Sequence, residues 1–160
     1  MAPDLDILPY SRPLSADGTA EFFVKAILQE RGFGQTVEFI YTTTQALRVL
    51  ANTPGAIYYA SASEIVPQCT VKALSVGSQV GNLVSAYQPP AIPAQQCPEK
   101  RNQANIQAFQ TGQYPLTRLL YVVLNRNGRA EEAAGEAYAN FLLTAQGQEL
   151  IRSAGFVAIR

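Results

Sequence analysis

Histidine is absent from the 160 residues, which removes the usual general base near neutral pH and the commonest metal ligand. Sulfur is scarce. Only Cys69 and Cys97, in "VPQCTV" and "QQCPEK", offer thiols, and their spacing fits no zinc pattern. Charge of one sign is not in excess either: twelve basic residues balance twelve acidic ones, with no basic cluster. That argues against a nucleic-acid partner, which needs such an excess. No apolar stretch approaches the ~20 residues that span a bilayer, so no transmembrane segment is expected. "MAPDLDILPYSRP" lacks the basic start and long apolar core of a signal peptide, so an exported product would carry its signal outside this chain. No Walker-type phosphate loop, nucleophile elbow or Ser-x-x-Lys dyad occurs, and neither a metal nor a cofactor is expected.

What is present is apolar and ordered. Hydrophobic residues make up 48% and charged ones 15%, which indicates one globular domain over residues 1–160. As free thiols the two cysteines would be small buried hydrophobes. Their polar, proline-rich surroundings favour instead a Cys69–Cys97 disulfide, and with it an oxidising compartment.

Periodicity predicts a short strand at 5–10, a helix at 19–30 ended by "RGFG", a strand at 37–41, and a threonine-capped helix in "TTTQALRVLANTPG". "AIYYAS" (56–61) and "VKALSV" (71–76) read as strands with a helical turn between them. Residues 77–98 read as loop, "NQANIQAFQTG" as a short helix, and "LTRLLYVVLN" (116–125) as the strongest strand candidate in the chain. A helical pattern from 129 to 153 breaks near "TAQGQ" before an extended tail. Strands alternating with helices predict an α/β domain with a mixed or parallel sheet flanked by helices.

The stretch "SRPLSADGTAEFF" (11–23) carries the chemistry. A helix start exposes unpaired N–H groups and the positive end of the dipole, and so attracts anions. Gly18 permits close backbone approach, Ser15 and Thr19 offer hydroxyls, and Arg12 offers a planar fork for phosphate oxygens. The simpler alternative is a helix capped by Asp17 or Thr19 with Arg12 in solvent. Asp17 also has a carboxylate that could occupy an anion seat itself.

The order of motifs resembles the periplasmic phosphate-binding proteins of ABC transporters, within the type 2 periplasmic-binding-protein fold. "RPLSADGTAEFF" is similar to the family's arginine followed by a Ser-Gly-Thr helix start. "PGAIYYAS" (54–61), "VKALSV", "GQYPLTRLLYVVLN" (112–125) and "FLLTAQGQELIRSAGFVAI" (141–159) resemble its later strands and closing helix. The resemblance implies a non-catalytic, extracytoplasmic module that binds phosphate or a similar oxyanion through Arg12, Ser15, Asp17, Gly18 and Thr19. It also implies ABC-transporter membrane components as partners. Residues of about 8–115 would be the family's second lobe, and about 116–160 the return strand and closing helix of a first lobe otherwise lacking. A missing lobe would then have to come from a partner. The chain departs from the family pattern where Asp17 replaces a serine, where one extra residue follows Arg12, and where Tyr58 replaces a glycine.

The alternative function is a structural or sensory domain of the same fold that has lost its ligand and acts through protein contacts. An exposed apolar face and self-association are its expected marks. Tyr41, Tyr58, Tyr59, Tyr87, Tyr114 and Tyr121 read chiefly as packing residues, and Glu131, Glu132 and Glu136 as dipole-favouring groups at a helix start. Arg118 reads as a salt-bridge former or as a cation facing an anion across a cleft.

Overall fold

Parallel pairing sets the centre of the molecule. The computed structural model describes residues 4–16 and 18–159. Strand β1 (Leu8–Ser11) lies between β2 (Glu38–Phe39) and β3 (Ala56–Ile57), all parallel, in the order β2-β1-β3. Tyr10 pairs with Glu38 and Ser11 with Phe39 on one side, Leu8 with Ala56 and Pro9 with Ile57 on the other. Parallel neighbours need crossovers. Helix α1 (Gly18–Ala26) links β1 to β2, and α2 (Thr43–Asn52) links β2 to β3. Helices α3 (Ala62–Ile65), α4 (Ile106–Gln110), α5 (Ala130–Leu142) and α6 (Ala145–Ser153) follow, which makes the chain a mixed α/β protein.

Local chemistry explains the element ends. Thr42 caps α2, its hydroxyl accepting from Gln45 N at 3.2 Å. Helix α1 ends earlier than its periodicity predicts, because Gln29 and Glu30 turn into the left-handed region (φ 50° and 64°) ahead of Gly32. The expected break near "TAQGQ" is real: Thr144 caps α6 through Gly147 N, and a side chain on Gly147 would run into the Phe141 carbonyl.

Packing is light. Rings bind α1 and the loop after it to the sheet region, with Phe23 of α1 stacked on Tyr59 just past β3 at 4.0 Å and Phe33 edge-on to Phe39 of β2 at 5.8 Å. A second cluster joins Val66, Ala86 and Tyr87, backed by Phe109 and Tyr114. The Tyr87 hydroxyl accepts from Ala73 N at 2.7 Å, and Phe109 meets Tyr114 edge-on. Tyr59, Tyr87 and Tyr114 are therefore packing residues, as the sequence suggests, whereas Tyr41 and Tyr121 are exposed. The disulfide expected between Cys69 and Cys97 is formed, with Cα atoms 5.7 Å apart, and it ties the long loop to this second cluster.

Two expected strands are not strands. "VKALSV" contributes one antiparallel bridge, Val76 to Val84, because the chain doubles back through a tight turn at Gly77. "LTRLLYVVLN" is extended but joins no sheet: among the described residues, 116–126 make no backbone hydrogen bond. Strand-type residues alone do not make a ladder, since a strand needs a neighbour to take its N–H and C=O groups. The strands at 5–10, 37–41 and 56–61 exist but are shorter than expected.

Candidate functional site

Four of the five candidate residues share the β1–α1 connection. Strand β1 ends at Ser11, which is buried and whose hydroxyl donates to Arg12 O at 3.0 Å and lies 2.7 Å from the Tyr59 hydroxyl. That anchor fixes where the chain leaves the sheet. Arg12 follows, then a 3-10 turn at Leu14–Ala16, closed by Ala16 N donating to Pro13 O at 3.0 Å. Helix α1 then begins at Gly18. Asp17 lies outside the described residues.

This connection leaves the carboxyl end of the central strand. Its own crossover goes to one side, while β3 pairs on the other. Open parallel α/β sheets generally hold ligands at such a switch point. Arg12 is half-buried, its Nη2 donating to Ala16 O at 3.4 Å, so the guanidinium lies along the turn. Ser15 and Gly18 are exposed and Thr19 is half-buried.

A fifth residue joins them from far along the chain. Arg118 donates from Nη1 to Gly18 O at 2.8 Å and from Nη2 to Thr19 Oγ1 at 3.1 Å. Its guanidinium carbon lies 5.9 Å from the centre of the Phe22 ring, within cation–π range. One guanidinium thus lies on the first turn of α1 and the other along the 3-10 turn that precedes it. Arg118 belongs with Gly18 and Thr19, a role its position in the sequence does not reveal; its charge beside an apolar run is the sole signal.

Tyr58 stands near Arg12 at the end of β3. Burial pushes its phenol pKa up; a Thr43 side chain and the Arg12 charge pull it down, and Glu64 opposes them. The oxygen is shut from solvent and makes no hydrogen bond of good geometry, although Thr43 lies close enough to favour the phenolate. Tyr58 thus sets a phenol that favours its neutral form beside the Arg12 cation.

Chemically the arrangement supplies donors and two guanidiniums, with the Glu21 carboxylate also in the first turn of α1. Among the described residues no group of three or more Asp, Glu or Cys side chains could hold a metal ion. Glu132 is engaged in accepting from Gly128 N before α5, as expected for a helix-start carboxylate. Two hollows lie elsewhere. One, of ≈ 290 Å³, sits against the disulfide; its polar neighbours Tyr87 and Asn102 are committed to Ala73 N and Ile92 N. The other, of ≈ 380 Å³, lies along α2 beside Arg48. No helix among the described residues is long and apolar enough to cross a membrane. No protein-family model, curated protein or solved structure matches the chain.

Proposed function

We propose that the chain is a non-catalytic solute-binding module that takes phosphate or a similar oxyanion at the start of α1. This is the role implied by its resemblance to the phosphate-binding proteins of ABC transporters and to the type 2 periplasmic-binding-protein fold. The observation that carries the reading is Arg118, brought about a hundred residues along the chain onto Gly18 and Thr19. With Arg12 on the turn before it, two guanidiniums lie near the α1 start at the carboxyl end of the central strand, alongside the Glu21 carboxylate of the first turn. An oxyanion there gains backbone N–H bonds, hydroxyl donors and charge-assisted bonds from arginine. The bridged cysteines support an extracytoplasmic setting. Ser15 and Gly18 are exposed, so a second lobe or an ABC-transporter membrane component would complete the seat.

Amide NMR during a phosphate titration tests this, with chloride at equal ionic strength as the control. Phosphate should shift the Gly18 and Thr19 resonances, and Arg12→Ala and Arg118→Ala should each weaken binding about tenfold, as expected for a lost charge-assisted bond. Shifts no larger than those in chloride, or binding indifferent to both substitutions, would remove the site.

A further inference from the structure

The segment 116–125 is extended, apolar and without a sheet. Leu119, Leu120, Tyr121, Val122 and Val123 are all exposed, with Val123 at 90%. Successive residues point to opposite faces of an extended chain, so both faces here are apolar. That pattern suits a strand covered on both sides, and it is costly in water. The backbone adds to the cost, since among the described residues 116–126 form no main-chain hydrogen bond. Two of its side chains reach helices: Arg118 meets Gly18 and Thr19 of α1, and Leu124 lies against Gly135 of α5.

The whole surface tells the same story. The chain exposes 11580 Å² at a mass of 17.3 kDa. A compact monomer of that mass exposes about 7,800 Å². The excess of roughly 3,800 Å² is several times the ~800 Å² per partner that a stable interface buries. Nor is there a surplus of charge that would select an oppositely charged protein or repel a second copy, since the net charge is zero.

We propose that 116–125 is the seam of a homodimer, in which the segment pairs antiparallel with the same segment of a second copy. A two-fold axis presents one surface to itself, so a single strand can supply both sides of the ladder. The pairing satisfies N–H and C=O groups now open to water and brings the apolar side chains of the two copies together. No charged residue lies between Arg118 and Arg126, so the middle of the seam meets without conflict. A ribbon centred on Val122 would set Arg118 of one copy against Arg126 of the other. Like charges directly opposite destabilise a ladder, which favours a register centred on Leu120, with Arg118 facing Val122. The seam does not depend on the anion reading.

Sedimentation velocity from about 1 µM to about 100 µM, combined with hydrogen exchange of the intact chain, tests the proposal. Expected are a dimer and slow exchange for alternate amides within 117–125, the half that a two-stranded ribbon bonds. Val123→Lys touches an exposed side chain and should leave the circular dichroism unchanged while weakening the dimer about tenfold or more. Val122→Pro, which removes a ladder donor, should do the same. A monomer throughout, a dimer in which all the 117–125 amides exchange freely, or a dimer indifferent to both substitutions would overturn the seam. Protection of these amides only when a different protein is added would overturn it too, and assign the strand to that partner.

Discussion

Tyr58 and Tyr114 hold their phenol protons more tightly than free tyrosine, in both cases chiefly because burial disfavours the phenolate. A pKa raised in the folded state stabilises the fold fully below the unfolded value, about 10 for tyrosine. Above it the unfolded chain releases protons that the folded chain keeps, so stability falls as pH rises through the raised values. Urea midpoints should therefore be flat from pH 8 to about 9.5 and decline above 10. Tyr114→Phe and Tyr58→Phe should each blunt that decline. Because the Tyr58 oxygen makes no good hydrogen bond, its replacement by Phe should change stability at neutral pH by less than about 1 kcal/mol. A decline of equal size in the wild type and in the double variant would count against the burial account. At this scale the sequence shows which groups are chemically able. It does not show that Arg118 meets Thr19, because nothing local encodes a contact between residues so far apart.

Helices and strands differ in how much of themselves they carry. Helix α2 is legible to within a residue because its cap Thr42, its apolar spacing and Asn52 all lie within it or next to it. Strand β3 is legible only as a tendency, and Gly55 decides its entry. Gly55 has φ +85°, its carbonyl accepts from Leu8 N at 2.9 Å, and an added Cβ would collide with the Asp6 carbonyl. Gly55→Ala should break the β1–β3 register and cost at least about 2 kcal/mol, by forcing both the backbone and the neighbouring strand to shift. Thr42→Ala should cost only about 1 kcal/mol, the worth of one cap. Chemical denaturation of the two variants checks the order, and a Gly55→Ala protein as stable as Thr42→Ala would contradict it. The runs 71–76 and 116–125 have strand composition without strand pairing for the same reason: half of a strand's bonding belongs to another segment.

At the scale of the molecule, little apolar bulk is buried among the described residues, and most of their buried hydrophobic positions are alanines. A covalent tie then matters more. The Cys69–Cys97 bridge spans 28 residues, which corresponds to about 3.5 kcal/mol in the chain-entropy model. Reduction, or a paired Cys69→Ser and Cys97→Ser exchange, should lower the melting temperature by several degrees and raise proteolysis within 77–98. A melt unchanged by reduction would show that the packing around Val66 and Tyr87 holds the loop without the bridge. The same thin core leaves the excess surface that a second copy is proposed to cover.

Composition and local pattern by themselves determined the α/β class, most helix positions, the disulfide expectation and the absence of histidine chemistry. Each of these depends on residues near one another or on simple counts. Only the tertiary structure decided that Arg118 joins Gly18 and Thr19, that β1 is the central strand, and that 116–125 finds no sheet among the described residues. Contacts of that kind depend on which distant segments are available to pair, and no local pattern records what a strand will find beside it.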